Sequence, residues 1–197
     1  MPKGIPLTNE EQARKRQAIF DASVHLFVEK GFNETSMREI AAAAGIGKAT
    51  LYDYFKTKDE ILLSFFEREI QEMYGRAEAI ARESLPAAEK LRRIVQTQLE
   101  YWVARRAFYP KLALEAQRLA LPSQQRIQAA RHAYQDMLRG IIEGGIREGE
   151  FRLVDPLLAT RLLLNLVTPV VFTTRPTGAP EQMMDEELGI FLNGIRA

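Results

Sequence analysis

The sequence predicts an all-α chain of about nine helices, three short ones at the N-terminus in helix-turn-helix order and a longer set after them. Apolar residues recur at steps of three and four in every long segment, and no segment alternates convincingly at a step of two. Helix-start signals repeat as well: Thr8-Asn9-Glu10-Glu11, Ser36-Met37-Arg38-Glu39 and Thr57-Lys58-Asp59-Glu60 each fit a capping box. Thirdly, Gly45-Ile46-Gly47 separates two short helical stretches, and a glycine-containing turn of that length joins the two helices of a helix-turn-helix.

In chain order, the box at Thr8 opens a first helix whose apolar face holds Ala18, Ile19, Ala22, Leu26 and Phe27. Lys30-Gly31 supplies the cation and the left-handed residue that end it. The box at Ser36 opens a second helix with Met37, Ile40 and Ala44 inward, and the third follows from Gly47 to Phe55 with Leu51 and Phe55 as its core side. A fourth begins at Thr57 with Ile61, Leu62, Phe65, Ile70 and Met73 on one face, runs to about Glu83, and is weakened or bent at Gly75. Pro86 opens a fifth, which carries Leu91, Ile94, Val95, Leu99, Trp102 and Val103 towards a break at Tyr109-Pro110. A short helix from Lys111 to Leu119 is followed by a long one from Pro122-Ser123 into the glycines Gly144, Gly145 and Gly149, which imply fraying or close helix contact. Asp155-Pro156 caps an eighth helix, Leu157 to Phe172, apolar on nearly every side and therefore expected to be buried almost all round. Glu181 to Ile195 closes the chain.

Composition narrows the function classes. At 197 residues, with 46% hydrophobic and 27% charged residues, the chain has the make-up of a globular protein and not of a disordered one. It has no cysteine, so disulfides and thiolate metal sites are excluded, and a cytoplasmic location is the natural expectation. Residues 1–6 lack the apolar run of a secretory signal, and the short arm around Lys3 has no structural pattern of its own. The most apolar stretch, between Arg161 and Arg175, contains Asn165 and Pro169 and is well short of the roughly 20 residues a membrane span needs. A net charge of +1 argues against indiscriminate coating of nucleic acid. Local placement is more informative: Arg14-Lys15-Arg16 lies in the first helix, and Arg38, Lys48, Lys56 and Lys58 surround the third.

That third helix carries Lys48, Thr50, Tyr52 and Tyr54, all able to donate to phosphates or base edges, as a DNA-reading helix requires. Lys48 suits guanine O6 and N7, and Thr50, Tyr52 and Tyr54 suit phosphates. Enzyme signals fail beside it. Gly47-Lys48 would end a phosphate-binding loop, but Ala42 stands where the first glycine belongs and Ala49 where a magnesium-binding serine or threonine belongs. Neither His25 nor His132 has a second histidine at ligand spacing, so no metal is expected, and no Gly-x-Ser-x-Gly elbow is present.

These residues resemble the TetR/AcrR family of bacterial transcriptional regulators. The match runs through Ile19, Ala22, Leu26, Phe27, Gly31-Phe32, Thr35, Ile40-Ala41, Ala44-Gly45-Ile46, Thr50-Leu51-Tyr52, Tyr54-Phe55, Lys58 and Leu62, about 45 residues in register. A weaker match lies at Gly145-Ile146-Arg147-Glu148-Gly149-Glu150-Phe151 before Asp155-Pro156, where the family joins its seventh and eighth helices. The resemblance makes Lys48, Ala49, Thr50, Tyr52 and Tyr54 the groove-facing positions, Arg38 a base or phosphate contact, and Ser36 and Lys58 phosphate contacts. Gly47 departs from the family, which often has serine there; glycine is weaker by only a few tenths of a kcal/mol as a cap, but it removes one possible phosphate contact.

The resemblance further implies a DNA-binding domain over residues 1–56 and an all-helical ligand-binding and dimerisation domain over 57–197, serving a cytoplasmic regulator that is not an enzyme. Repression is the family's usual sign; a transcriptional activator or a ligand-independent DNA-binding protein is the alternative. The operator would be double-stranded DNA with an inverted repeat, and the effector a small molecule with no further cofactor. The high apolar content of Leu157 to Phe172 and of Glu181 to Ile195 independently supports a homodimer through those two helices. Tyr101, Trp102, Arg105, Arg106, Phe108 and Tyr109 on the fifth helix, His132 and Tyr134 on the seventh, and Arg161 and Asn165 on the eighth mix aromatic surface with polar groups, the composition of an effector pocket.

Overall fold

A computed structural model describes residues 8–197; the arm around Lys3 lies outside them. The described residues form α1 (Asn9–Glu29), α2 (Met37–Ala43), α3 (Lys48–Tyr54), α4 (Lys58–Ala81), α5 (Ala87–Arg105), α6 (Tyr109–Ala116), α7 (Leu121–Arg147), α8 (Pro156–Val171) and α9 (Pro180–Ile195). Among them there is no strand, only an isolated antiparallel bridge between Phe151 and Arg196. The all-helical class and the count of about nine helices therefore stand.

The chain divides into two compact units. The first contains the residues up to Phe66 together with Pro110–Gln124; the second contains Glu67–Tyr109 and Gln125–Ala197.

In the first unit, Thr8 and Ser36 close their capping boxes in full: Glu11 N–H donates to Thr8 Oγ1 at 3.2 Å, and Glu39 N–H to Ser36 Oγ at 3.2 Å. The box at Thr57 closes only by half. Glu60 N–H reaches Thr57 Oγ1 at 3.1 Å, but the Glu60 carboxylate accepts from Lys56 N–H at 2.6 Å, one residue earlier than the pattern requires. That carboxylate satisfies a backbone donor of the turn between α3 and α4. Gly31 at φ +97° and Gly45 at φ +65° take the left-handed conformation their turns need, whereas Gly47 has an ordinary φ of −68°. The unit's core holds Ile19, Phe20, Phe27, Ile40, Leu51 and Phe55, with Phe20 edge-on to Phe55 at 5.6 Å.

In the second unit, α8 packs against α5 and α9. Its core joins Leu91, Val95 and Leu99 of α5 to Leu163 and Val167 of α8 and Leu188 and Leu192 of α9. Asp155 caps α8 through Leu157 N–H and Leu158 N–H, both at 2.9 Å. The N-terminus of α5 has no capping side chain of its own; Glu150 supplies one from a distance, accepting from Ala87 N–H at 2.7 Å and Ala88 N–H at 2.9 Å. Of the two readings of the glycines late in α7, fraying and close contact, the first does not hold at Gly144 and Gly145, since the helix continues through them to Arg147. Gly145 marks close contact instead: a Cβ there would lie 2.5 Å from the Phe151 ring and 2.9 Å from Ala87 Cβ.

The expectation that α8 is buried all round is corrected. Ala159, Leu163, Val167 and Val170 are buried, but Leu158 and Leu162 remain 56% and 54% exposed, because α5 and α9 cover only one side. Ile190 of α9 is also 70% exposed.

Candidate functional site

The first unit presents the side chains that the sequence marks as candidates for reading DNA. Leu51 and Phe55 anchor α3 in the core, which turns Lys48 and Ala49 out to solvent and leaves Thr50, Tyr52 and Tyr54 half-buried. Lys48 Nζ lies 5.7 Å from the Tyr52 ring centroid, a cation–π contact that orients the lysine without neutralising it. Arg38 is exposed on α2, and neither Arg38 nor Lys48 pairs with an acid among the described residues. Two candidate phosphate contacts are engaged within the chain. Lys58 Nζ donates to the carbonyls of Phe32 at 2.6 Å and Asn33 at 3.0 Å and sits over the Phe32 ring, tying the α1–α2 loop to the start of α4. Ser36 Oγ donates to Glu39 Oε2 at 2.7 Å as it caps α2.

Glu39 takes a further charged bond from Lys30. The Lys30 ammonium, with the Ser36 hydroxyl and N–H behind it, draws the Glu39 carboxyl down to about 2. Sequence reading missed the role of Arg16, whose guanidinium stacks 4.8 Å from the Phe55 ring; in the sequence it is one cation of a three-residue run.

The second unit contains a cavity of about 680 Å³, within the range of small-molecule sites. Six of the sequence-predicted residues line it together: Trp102, Tyr109, His132, Tyr134, Arg161 and Asn165. Tyr101, Arg105 and Phe108 do not. Tyr101 is 2% exposed and donates its hydroxyl to the Glu69 carboxylate. Burial first, then that hydrogen bond, push the Tyr101 phenol well above its ordinary range. Arg105 Nε donates to Glu69 Oε2 at 2.7 Å, and its guanidinium lies 3.6 Å from the Tyr101 ring centroid. The two residues thus hold Glu69, an acid only 4% exposed that itself reaches the cavity wall.

Further lining residues were not singled out from the sequence, although a signal existed. Gln128, Arg131 and Gln135 stand at steps of three and four with His132 on α7, and Leu164 and Thr168 do so with Arg161 and Asn165 on α8. Gln98 was hidden by its apolar neighbours on α5; it donates to the Tyr134 hydroxyl, a buried polar pair at the wall. Burial raises the Tyr134 phenol, and Gln98 opposes that. Burial likewise raises Tyr109, opposed by the Arg131 guanidinium, which hydrogen-bonds it. Tyr109 packs edge-on to Trp102 at 4.1 Å.

Among the described residues no group of three His, Asp or Glu side chains could hold a metal, and no helix is long and apolar enough to cross a membrane.

Comparison with known proteins gives these two sites a context. The fatty acid metabolism regulator protein of Bacillus subtilis is 28% identical over 165 residues, 83% of this chain and 85% of that protein. The HTH-type transcriptional repressor KstR2 of Mycolicibacterium smegmatis is 27% identical over 194 residues, 96% of this chain and 95% of the other. The crystal structure of the transcriptional regulator FadR from Bacillus subtilis in complex with stearoyl-CoA superposes with a TM-score of 0.78 at 26% identity, covering 91% of this chain and 99% of that one. Residues 19–65 match the bacterial regulatory proteins of the tetR family, and residues 84–195 match the tetracyclin repressor-like C-terminal domain. With the exposed Lys48 and Ala49 of α3 in one unit and a cavity in the other, the chain belongs to the TetR family of transcriptional regulators.

Proposed function

We propose that the protein is a ligand-responsive repressor that binds an inverted-repeat operator as a homodimer and acts in the cytoplasm, with residues 1–56 reading DNA and residues 57–197 binding effector and partner. The observation that carries the reading is the cavity, a space of about 680 Å³ in the unit that contains α4 from Glu67 onward, the start of that helix up to Phe66 belonging to the first unit. The exposed Leu158 and Leu162 of α8 and Ile190 of α9 support dimerisation through those helices, since a second copy would remove them from water. Two-fold symmetry would then set the reading helices about 34 Å apart or a multiple of that distance. An effector that prefers the DNA-incompetent state would lower operator affinity through α4, with a coupling of about 1–3 kcal/mol. A relative named for fatty acid metabolism and a neighbour holding stearoyl-CoA make metabolic acyl compounds the first effectors to try.

A mobility-shift assay on the DNA flanking its own gene tests the DNA half of the reading. Lys48→Ala is expected to weaken binding by about tenfold or more, equivalent to about 1–3 kcal/mol for a base contact, and to relax sequence preference without altering the melting temperature. Tyr52→Ala is expected to weaken binding more uniformly. Wild-type affinity in both variants would remove α3 from the interface.

A further inference from the structure

The charges around the cavity do not balance, and the imbalance specifies a ligand. Glu69 is the one acid among the described lining residues, and its carboxylate is already answered by Arg105 at 2.7 Å and by the Tyr101 hydroxyl. Two cations also line the cavity, Arg131 from α7 and Arg161 from α8, and neither forms an ion pair among the described residues. Arg131 is steadied by its bond to the Tyr109 phenol, a neutral acceptor that leaves the positive charge uncompensated. Both arginines are exposed residues, whereas Gln98, Tyr134 and Val167 are buried, so the cations stand at the mouth and the less polar wall lies deeper. That wall is aromatic and aliphatic, with Trp102, Tyr109, Met73 and Leu164 among its members.

We propose that the effector is an amphipathic anion, its carboxylate or phosphate held by Arg131 and Arg161 and its apolar body laid against Trp102 and Tyr109. The proposal rests on the cavity being the effector site, and it adds the class of ligand and the residues that select it. Guanidinium groups pair with carboxylate and phosphate oxygens through two parallel N–H donors, which gives them a geometric as well as an electrostatic preference. A ligand cation of the same shape would meet two like charges at the entrance, and a neutral one would leave both unpaired. An apolar acid and an acyl group on a phosphorylated carrier share this chemistry; the experiment separates them.

Trp102 is the chain's single tryptophan and lines the cavity, so its fluorescence reports occupancy in the full-length wild-type protein. Four probes are titrated at equal ionic strength: hexadecanoate, hexadecanoyl-CoA, hexadecan-1-ol and free CoA. At least one of the two acyl anions is expected to bind about tenfold or more tightly than the alcohol, and CoA alone more weakly than its thioester. Arg131→Gln and Arg161→Gln are each expected to cost the acyl anion about tenfold while leaving the alcohol unchanged, with melting temperatures showing that both variants fold. Hexadecanoate binding above the thioester names a carboxylate as the anion; the reverse names phosphates. An alcohol that binds as well as the anions would overturn the anion site and leave the cavity reading intact. Undiminished anion binding in both variants would place the charge elsewhere and so reject the arginine pair. If none of the four probes alters Trp102, the ligand class and the cavity reading fall together.

Discussion

The two units treat charge in opposite ways. On α2 and α3, Arg38 and Lys48 stand in solvent with no acid partner among the described residues. In the second unit two sets of buried polar groups are closed on themselves, Glu69 by Tyr101 and Arg105, and Gln98 with Tyr134. Solvation explains the contrast. Water stabilises an exposed lysine at no cost to the fold, so a cation can be kept free for a phosphate or a base. A buried carboxylate without a partner would cost several kcal/mol, so it must be answered from inside the chain. Unpaired charge beside a proposed binding surface is therefore informative in both units, and the proposals give Arg131 and Arg161 the part at the cavity that they give Lys48 and Arg38 at DNA.

The largest expected effect comes from breaking the closed set. Arg105→Leu leaves Glu69 with only the Tyr101 hydroxyl and should lower unfolding free energy by about 3 kcal/mol, the lower end for a buried pair, because the Arg105 side chain is 24% exposed. The urea midpoint followed by Trp102 fluorescence measures it. Removing both charges in Glu69→Leu/Arg105→Leu should recover much of the loss, as two apolar side chains need no partner. A single variant as stable as the wild type would show that Glu69 is solvated and that the contrast between the units is unfounded.

A smaller effect probes Ser36, which the family resemblance assigns to a phosphate and whose hydroxyl is engaged by Glu39. Ser36→Ala removes the α2 cap and should lower stability by about 1 kcal/mol. Lost operator affinity at unchanged melting temperature would instead assign the hydroxyl to DNA.

The same contrast governs how much the sequence discloses. The reading unit is built from local signals: the boxes at Thr8 and Ser36 and the turn at Gly45 involve residues a few positions apart, so spacing alone locates α1 to α3. The cavity is assembled from α4, α5, α7 and α8 with Tyr109 at the start of α6, and no spacing along one helix says which of its faces meets the others. Tyr101 and Trp102 illustrate the limit. They are adjacent and both aromatic, yet one holds Glu69 and the other lines the cavity, because successive helical residues are turned about 100° apart. Glu150, which caps α5 from 62 and 63 residues away, has no sequence signal at all.

The smallest effect concerns a charge pair at the surface of the first unit, Glu39 with Lys30. Glu39 titrates near 2 because Lys30 and then Ser36 stabilise its anion, against an ordinary 4.5. A carboxyl whose pKa is depressed in the folded state binds fewer protons there than in the unfolded chain, so its stabilising contribution is complete above about 4.5 and is lost as pH falls towards 2. Wild-type protein should therefore lose stability more steeply over that window than Glu39→Gln, whose amide does not titrate. Urea midpoints by far-ultraviolet circular dichroism at pH 5, 4 and 3 provide the comparison, since other carboxyls contribute equally to both proteins. The difference should shrink in high salt, which screens an exposed pair far more than a buried one. Parallel slopes at low salt would mean that water, and not Lys30, is the effective partner of Glu39, and the first unit would then carry no stabilising charge pair at this helix start.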